Sequence, residues 1–128
     1  DLKSGDVRWE RQVHEGKPQS SIHVKSSFAS ETPVSDGERV YCCFGNVGIF
    51  SFDFSGNAIW QHKITPRPMR LGWGTAASPV LHGELVFINA SVESDSLIAL
   101  DRRTGQHGLR RAPRFRRGGN RRSNRVSW

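Results

Sequence analysis

Two adjacent cysteines, five histidines and three recurring aspartates are the groups in this 128-residue chain that could do chemistry. His14, His23, His62, His82 and His107 show neither HxH nor HExxH spacing, so the sequence offers no zinc site. Cys42 and Cys43 are neighbours, which excludes a CxxC metal site and a multi-disulfide scaffold. An adjacent pair can close a strained disulfide ring. The favoured reading is plainer: two small apolar residues on opposite faces of one strand. Asp53 and Asp101 could pass for a catalytic carboxylate pair, but each is followed by a Ser/Thr-Gly turn, where an aspartate caps backbone N–H groups. No nucleophile elbow and no phosphate-cradling glycine loop opening a helix is found. The sequence therefore assigns no catalytic, cofactor-binding or metal-binding residue, and predicts no cofactor.

The elements that would position these groups are short β-rich runs separated by turn residues. Strands are expected at about 38–44, 48–53, 57–64, 84–90 and 96–101, with a further one over Val7–Val13 and no helix longer than two turns. Ser35-Asp36-Gly37-Glu38 and Leu81-His82-Gly83-Glu84 read as hairpin turns. Glu15–Phe28 is polar and reads as a long loop.

An internal repeat organises these runs. Asp1-Leu2-Lys3-Ser4-Gly5 is followed four residues after its glycine by Trp9, and Asp53-Phe54-Ser55-Gly56 at the same offset by Trp60. Asp101-Arg102-Arg103-Thr104-Gly105 is a third copy, in which Leu109 takes the tryptophan place. A second landmark has nearly the same period. Thr32-Pro33-Val34 recurs as Ser78-Pro79-Val80, each followed by a glycine and a valine, Gly37 and Val40 in one copy and Gly83 and Val86 in the other. Each unit thus holds four antiparallel strands in roughly fifty residues, the size of a β-propeller blade. The predicted fold is all-β: an incomplete β-propeller of about two to two and a half four-stranded antiparallel blades. Asp1, Gly5, Trp9, Asp53, Gly56, Trp60, Asp101, Thr104 and Gly105 form its structural motif, with the tryptophans filling gaps between sheets.

The pattern Asp-x-x-[Ser/Thr]-Gly-x-x-x-Trp resembles the repeat of pyrroloquinoline-quinone-type (PQQ-like) β-propellers over about residues 1–106. The stretch 29–105, with Phe44-Gly45-Asn46-Val47-Gly48 and Gly72-Trp73-Gly74-Thr75, looks most like the BamB-like bacterial envelope members. The Asp53 copy is one residue shorter between Asp and Gly. The resemblance implies a non-catalytic protein-interaction scaffold, periplasmic or secreted. It also raises an alternative, a fragment of a quinoprotein dehydrogenase, since those enzymes set an adjacent-cysteine disulfide against their quinone. A closed ring of this kind needs more blades than the chain holds, so a fragment or a truncated reading frame is expected.

Charge divides the chain. The net charge is +7, which would suggest a nucleic-acid partner. Yet residues 107–128 carry eight arginines and no acid, while residues 1–106 carry 11 basic and 12 acidic residues, a net of −1. Two regions follow: repeats over 1–106, and an Arg-rich tail over 107–128 read as disordered or non-native. An out-of-frame origin of the tail is favoured over a genuine nucleic-acid or membrane-surface arm. No specific nucleic-acid site and no membrane span are predicted. A protein partner is expected at exposed loops, with Arg67, Met69 and Arg70 the candidate contacts in a rigid basic loop suited to an acidic surface.

Overall fold

The computed structural model describes residues 1–16, 21–45, 47–65, 72–90 and 96–108. Among these residues seven strands run in chain order: β1 (Val34–Ser35), β2 (Arg39–Phe44), β3 (Gly48–Asp53), β4 (Ala58–Lys63), β5 (Val80–His82), β6 (Leu85–Ala90) and β7 (Ser96–Asp101). They build two antiparallel sheets, β1-β2-β3-β4 and β5-β6-β7, and no helix occurs among the described residues. The sheets do not close into a ring, so this is an incomplete propeller.

The turns explain the tight connections. β1 and β2 join through Asp36–Glu38, and β5 and β6 through Gly83-Glu84, with Gly37 and Gly83 at φ +90° and +55°. Only glycine takes that backbone without a Cβ clash. Registers then align whole rows. Val34 pairs with Tyr41, Tyr41 with Ser51, and Ser51 with Trp60, so one face of the first sheet carries all four. Its counterpart in the second sheet is Val80, Phe87 and Ala99.

The core lies between the two sheets. Tyr41, Cys43, Ile49 and Ile64 pack with Val86, Ile88 and Leu100, and Val34, Trp60, Leu81 and Ile98 lean against them. Each such burial stabilises by about 1.5–3 kcal/mol. β3 is buried on both faces from Gly48 to Phe52, as a strand covered on both sides must be. The Pro-Val landmarks also meet: the Thr32 N–H donates to Ser78 Oγ at 2.9 Å, joining residues 46 positions apart.

One expected strand is not formed. Val7–Val13 makes no ladder. A strand exists only through a paired neighbour, and no described segment pairs with this one. Among the described residues the second sheet has three strands rather than four. Its β7 edge carries a single bridge, Leu100 to His107, with the Gly108 N–H donating to the Ala99 carbonyl at 2.9 Å.

Candidate functional site

The three aspartates of the repeat close turns. Asp101 Oδ1 accepts the N–H groups of Arg103 and Thr104, both at 2.9 Å, and the Thr104 hydroxyl at 3.1 Å. Asp53 Oδ1 accepts from the N–H of Ser55 and Asn57, and Oδ2 from the Asn57 amide. Asp1 Oδ1 accepts from Lys3 and Ser4. The shorter Asp53 copy has a local cause. The Gly56 N–H reaches back three residues to the Asp53 carbonyl, whereas Gly5 and Gly105 reach back four, to Asp1 and Asp101. Hydrogen bonds to the ionised form hold two of these carboxyls below the usual range, led by the Asn57 amide at Asp53 and the Thr104 N–H at Asp101.

The tryptophans join one unit to the next. Trp60 Nε1 donates to the Arg102 carbonyl at 2.9 Å and its ring lies over Gly105. Trp9 Nε1 donates to the Phe54 carbonyl at 3.0 Å, its ring lies over Gly56, and it stands 5.9 Å from the Phe52 ring. Phe54 and Arg102 hold the same place in successive turns, so both tryptophans make one kind of joint.

Arg102 is the centre of that joint. Its guanidinium forms a two-point pair with Glu84, NH2 to Oε1 at 3.0 Å and Nε to Oε2 at 3.1 Å. NH1 also reaches Asp36 Oδ2 at 2.9 Å, so one side chain ties the turn of the first sheet to the turn of the second. The Arg102 carbonyl accepts a further bond from Arg39 NH1. The Tyr41 hydroxyl donates to Asp36 Oδ2 at 2.8 Å, and the N–H groups of Glu38 and Arg39 cap Asp36 Oδ1.

These contacts set the electrostatics. Burial alone would raise Asp36, but the donors from Glu38, Tyr41, Arg39 and Arg102 outweigh it and hold the carboxyl at about 2. Burial, and then the hydrogen bond to Asp36 and its charge, push Tyr41 up to about 12. The Glu84 hydrogen bond, opposed by burial, leads the set that raises Arg102. Neither Asp36 nor Tyr41 is poised to exchange a proton near neutral pH, so neither suits general acid–base work. Beside them opens a polar cavity of about 310 Å³, lined by Asp36, Glu38, Arg39, Tyr41, Arg102 and Arg103. Arg102 is already paired with Asp36 and Glu84, so Arg39 and Arg103 are the cationic residues of the lining not held in an ion pair, beside the carboxylate of Glu38.

Sequence reasoning missed this cluster. It marked Asp36 only as a turn residue, and Arg39 and Arg102 lie 63 positions apart with no spacing to link them. The single available signal was position. Arg102 falls inside the third turn motif, where the second copy has Phe54. The loop contacts Arg67, Met69 and Arg70 lie outside the described residues.

The cysteines do not fit a quinone platform. Cys42 and Cys43 are not joined in a disulfide. Cys43 faces the core between the sheets and Cys42 the other side of β2, so the pair cannot lie flat against one ligand. Burial raises the Cys42 thiol, which keeps it protonated and unreactive. A buried carboxylate stands at the opposite end of the blades. Glu31 Oε1 accepts from Thr75 Oγ1 at 2.5 Å and the Gly45 N–H at 3.2 Å, while Oε2 is buried without a partner.

A family model described as outer membrane protein assembly factor BamB matches residues 1–111. No curated protein matches the chain.

Proposed function

Because the chain belongs to the outer membrane protein assembly factor BamB family, we propose that it works as a non-catalytic β-propeller scaffold in the bacterial cell envelope, on the periplasmic or secreted side. The supporting observation is how the acidic groups at the joint are used. Asp36, Glu84 and Asp101 bind backbone N–H groups or Arg102, so these three carboxylates hold the joint together. The surface offered beside them is cationic. Arg39 and Arg103 line the groove at the turn end of the blades. Arg67, Met69 and Arg70, which follow β4 in the sequence, are a second and separate candidate contact. Acidic segments of a partner protein are the ligands these groups suit. Asp1, Gly5, Trp9, Asp53, Gly56, Trp60, Asp101, Thr104 and Gly105 hold the blades in place and touch no ligand.

The test is a titration with a Glu-rich peptide, using a chain that ends at Gly108 so that the tail arginines do not contribute. Saturable binding is expected, weakened about tenfold when Arg103→Glu is combined with Arg67→Glu. A parallel titration with pyrroloquinoline quinone and calcium addresses the enzyme alternative. Saturable quenching of quinone fluorescence that disappears in Cys42→Ser would overturn the scaffold reading.

A further inference from the structure

Two histidines that no local spacing links stand together in the structure. The His62 and His107 rings meet edge to face, with centroids 5.0 Å apart and planes at 88°. They come from the two sides of the seam between the sheets. His62 lies on β4 opposite Ile49, which lies opposite Cys43 on β2, so its side chain continues a row that the second sheet covers. His107 belongs to the segment after β7 and bridges to Leu100. Two backbone bonds flank it. The Asp101 N–H donates to the Gln106 carbonyl at 2.8 Å, and the Gly108 N–H to the Ala99 carbonyl at 2.9 Å.

The charge that acts on His62 is that of His107. Across β3 its neighbours Gly48, Ile49 and Phe50 are uncharged. Lys63, next on β4, is exposed on the alternate face. The charged residues of the facing turn are engaged elsewhere: Asp101 with the N–H groups of Arg103 and Thr104, Arg102 with Glu84 and Asp36, and Arg103 at the wall of the cavity. Burial leads the causes that hold His62 below 6.5, the His107 charge adds to it, and a hydrogen bond to the Gly105 backbone opposes them. One proton is therefore tolerated by the docked pair far better than two. Of the two rings His62 is half-buried and fixed in its sheet, whereas His107 is exposed and is carried by a short segment. Repulsion between them is relieved by moving His107.

We propose that His62 and His107 form an acid-operated latch: residues 106–108 stay docked on β7 while the ring pair carries at most one proton, and they release when both rings are protonated. The sign follows from the buried partner. A histidine held below 6.5 contributes stability fully above that value and loses it as pH falls through its lowered midpoint. The latch is thus closed at neutral pH and opens in mild acid, where histidine is the side chain whose ordinary range is crossed.

Amide hydrogen exchange of the full chain is followed by NMR at about pH 7 and about pH 5, corrected for intrinsic rates. Protection of the Asp101 and Gly108 N–H groups is expected to fall about tenfold on acidification, the order set by two unit charges a few ångströms apart beside water, while the β2 and β3 amides keep theirs. His107→Gln retains a polar side chain and the arginine tail but removes the second charge. In it the fall is expected to vanish, and the His62 ring, identified by its absence in His62→Gln, is expected to titrate at higher pH than in the wild type. Protection that changes equally with pH in the wild type and His107→Gln overturns the proposal, as does a His62 midpoint that His107→Gln leaves in place. So does a joint loss of protection across β2 and β3, which is acid unfolding of the whole rather than release of one segment. His62→Gln is a second, independent variant: it must also flatten the response, and a fall that persists in it overturns the latch.

Discussion

Tyr41 is the only tyrosine in the chain, so its ionisation can be followed by phenolate absorbance without interference. A midpoint near 12 is expected, and Asp36→Asn should move it down, because the Asp36 hydrogen bond and charge both oppose loss of the proton. A wild-type midpoint at the ordinary value near 10 would place the hydroxyl in water. The linked stability has a definite sign. A raised tyrosine pKa contributes fully below the unfolded value of 10.0 and is lost as pH climbs toward 12. The depressed Asp36 works at the other end, contributing above 3.8 and losing that contribution as pH falls through about 2. Ser51 makes a second residue-scale test. Its hydroxyl is buried without a hydrogen-bond partner, and the equivalent residue in the second sheet is Ala99. Ser51→Ala should be neutral or stabilising by up to about 1 kcal/mol in denaturant unfolding, since it removes a desolvated polar group and little volume. A loss above about 1 kcal/mol would mean that the hydroxyl is bonded in solution. Nothing in the sequence marked Ser51, because a lone serine in a β run reads as solvent-facing.

At the scale of the elements, the joint between sheets rests on a tryptophan ring pressed on a glycine. A Cβ on Gly105 would stand 2.6 Å from Trp60 Cδ2, and the residue sits at φ +69°. Gly83 has φ +55° but nothing within 4 Å. Both alanine substitutions incur backbone strain of about 1 kcal/mol, and only Gly105→Ala must also displace a ring, for about 2–4 kcal/mol in all. Equal losses in chemical denaturation would show that the ring does not rest there. Trp60→Ala should fall toward the lower end of about 3–5 kcal/mol, because the ring is half-buried. The strands themselves were legible: β2, β3, β4, β6 and β7 fall on the expected runs to within a residue or two. Val7–Val13 was not, since apolar alternation predicts a strand's faces and says nothing of whether a neighbour is there to pair with.

At the scale of the whole molecule, charge and closure are separate matters. Eight arginines and no acid lie in 107–128, and the remaining chain is close to neutral. Removing residues after Gly108 should leave the two sheets intact and abolish binding to DNA or anionic vesicles, which in the full chain should weaken steeply with salt. The cut belongs after Gly108 because His107 and Gly108 already pair with β7. A shortened chain that binds DNA equally well would place a real basic site among Arg39, Arg67, Arg70 and Arg103. Closure depends instead on apolar area. Sheets exposing Val80 and Leu97 need further blades against them, whichever chain supplies those blades.

By itself the sequence determined the local and periodic features. The Asp-to-Gly turns, the Pro-Val starts and the places of Trp9 and Trp60 recur at a period of nearly fifty residues, and short-range hydrogen bonding and backbone sterics suffice to form such turns. Three things were decided only by the tertiary structure. Arg102 was brought onto Asp36 and Glu84, Glu31 onto Thr75, and Tyr41 and Ile49 of the first sheet were buried while Val80 and Leu97 of the second were left exposed. Those contacts join residues 18 to 66 positions apart, at separations that no local spacing encodes. They form because two twisted sheets must stack face to face to bury their apolar rows, and that stacking chooses which side chains meet at the seam.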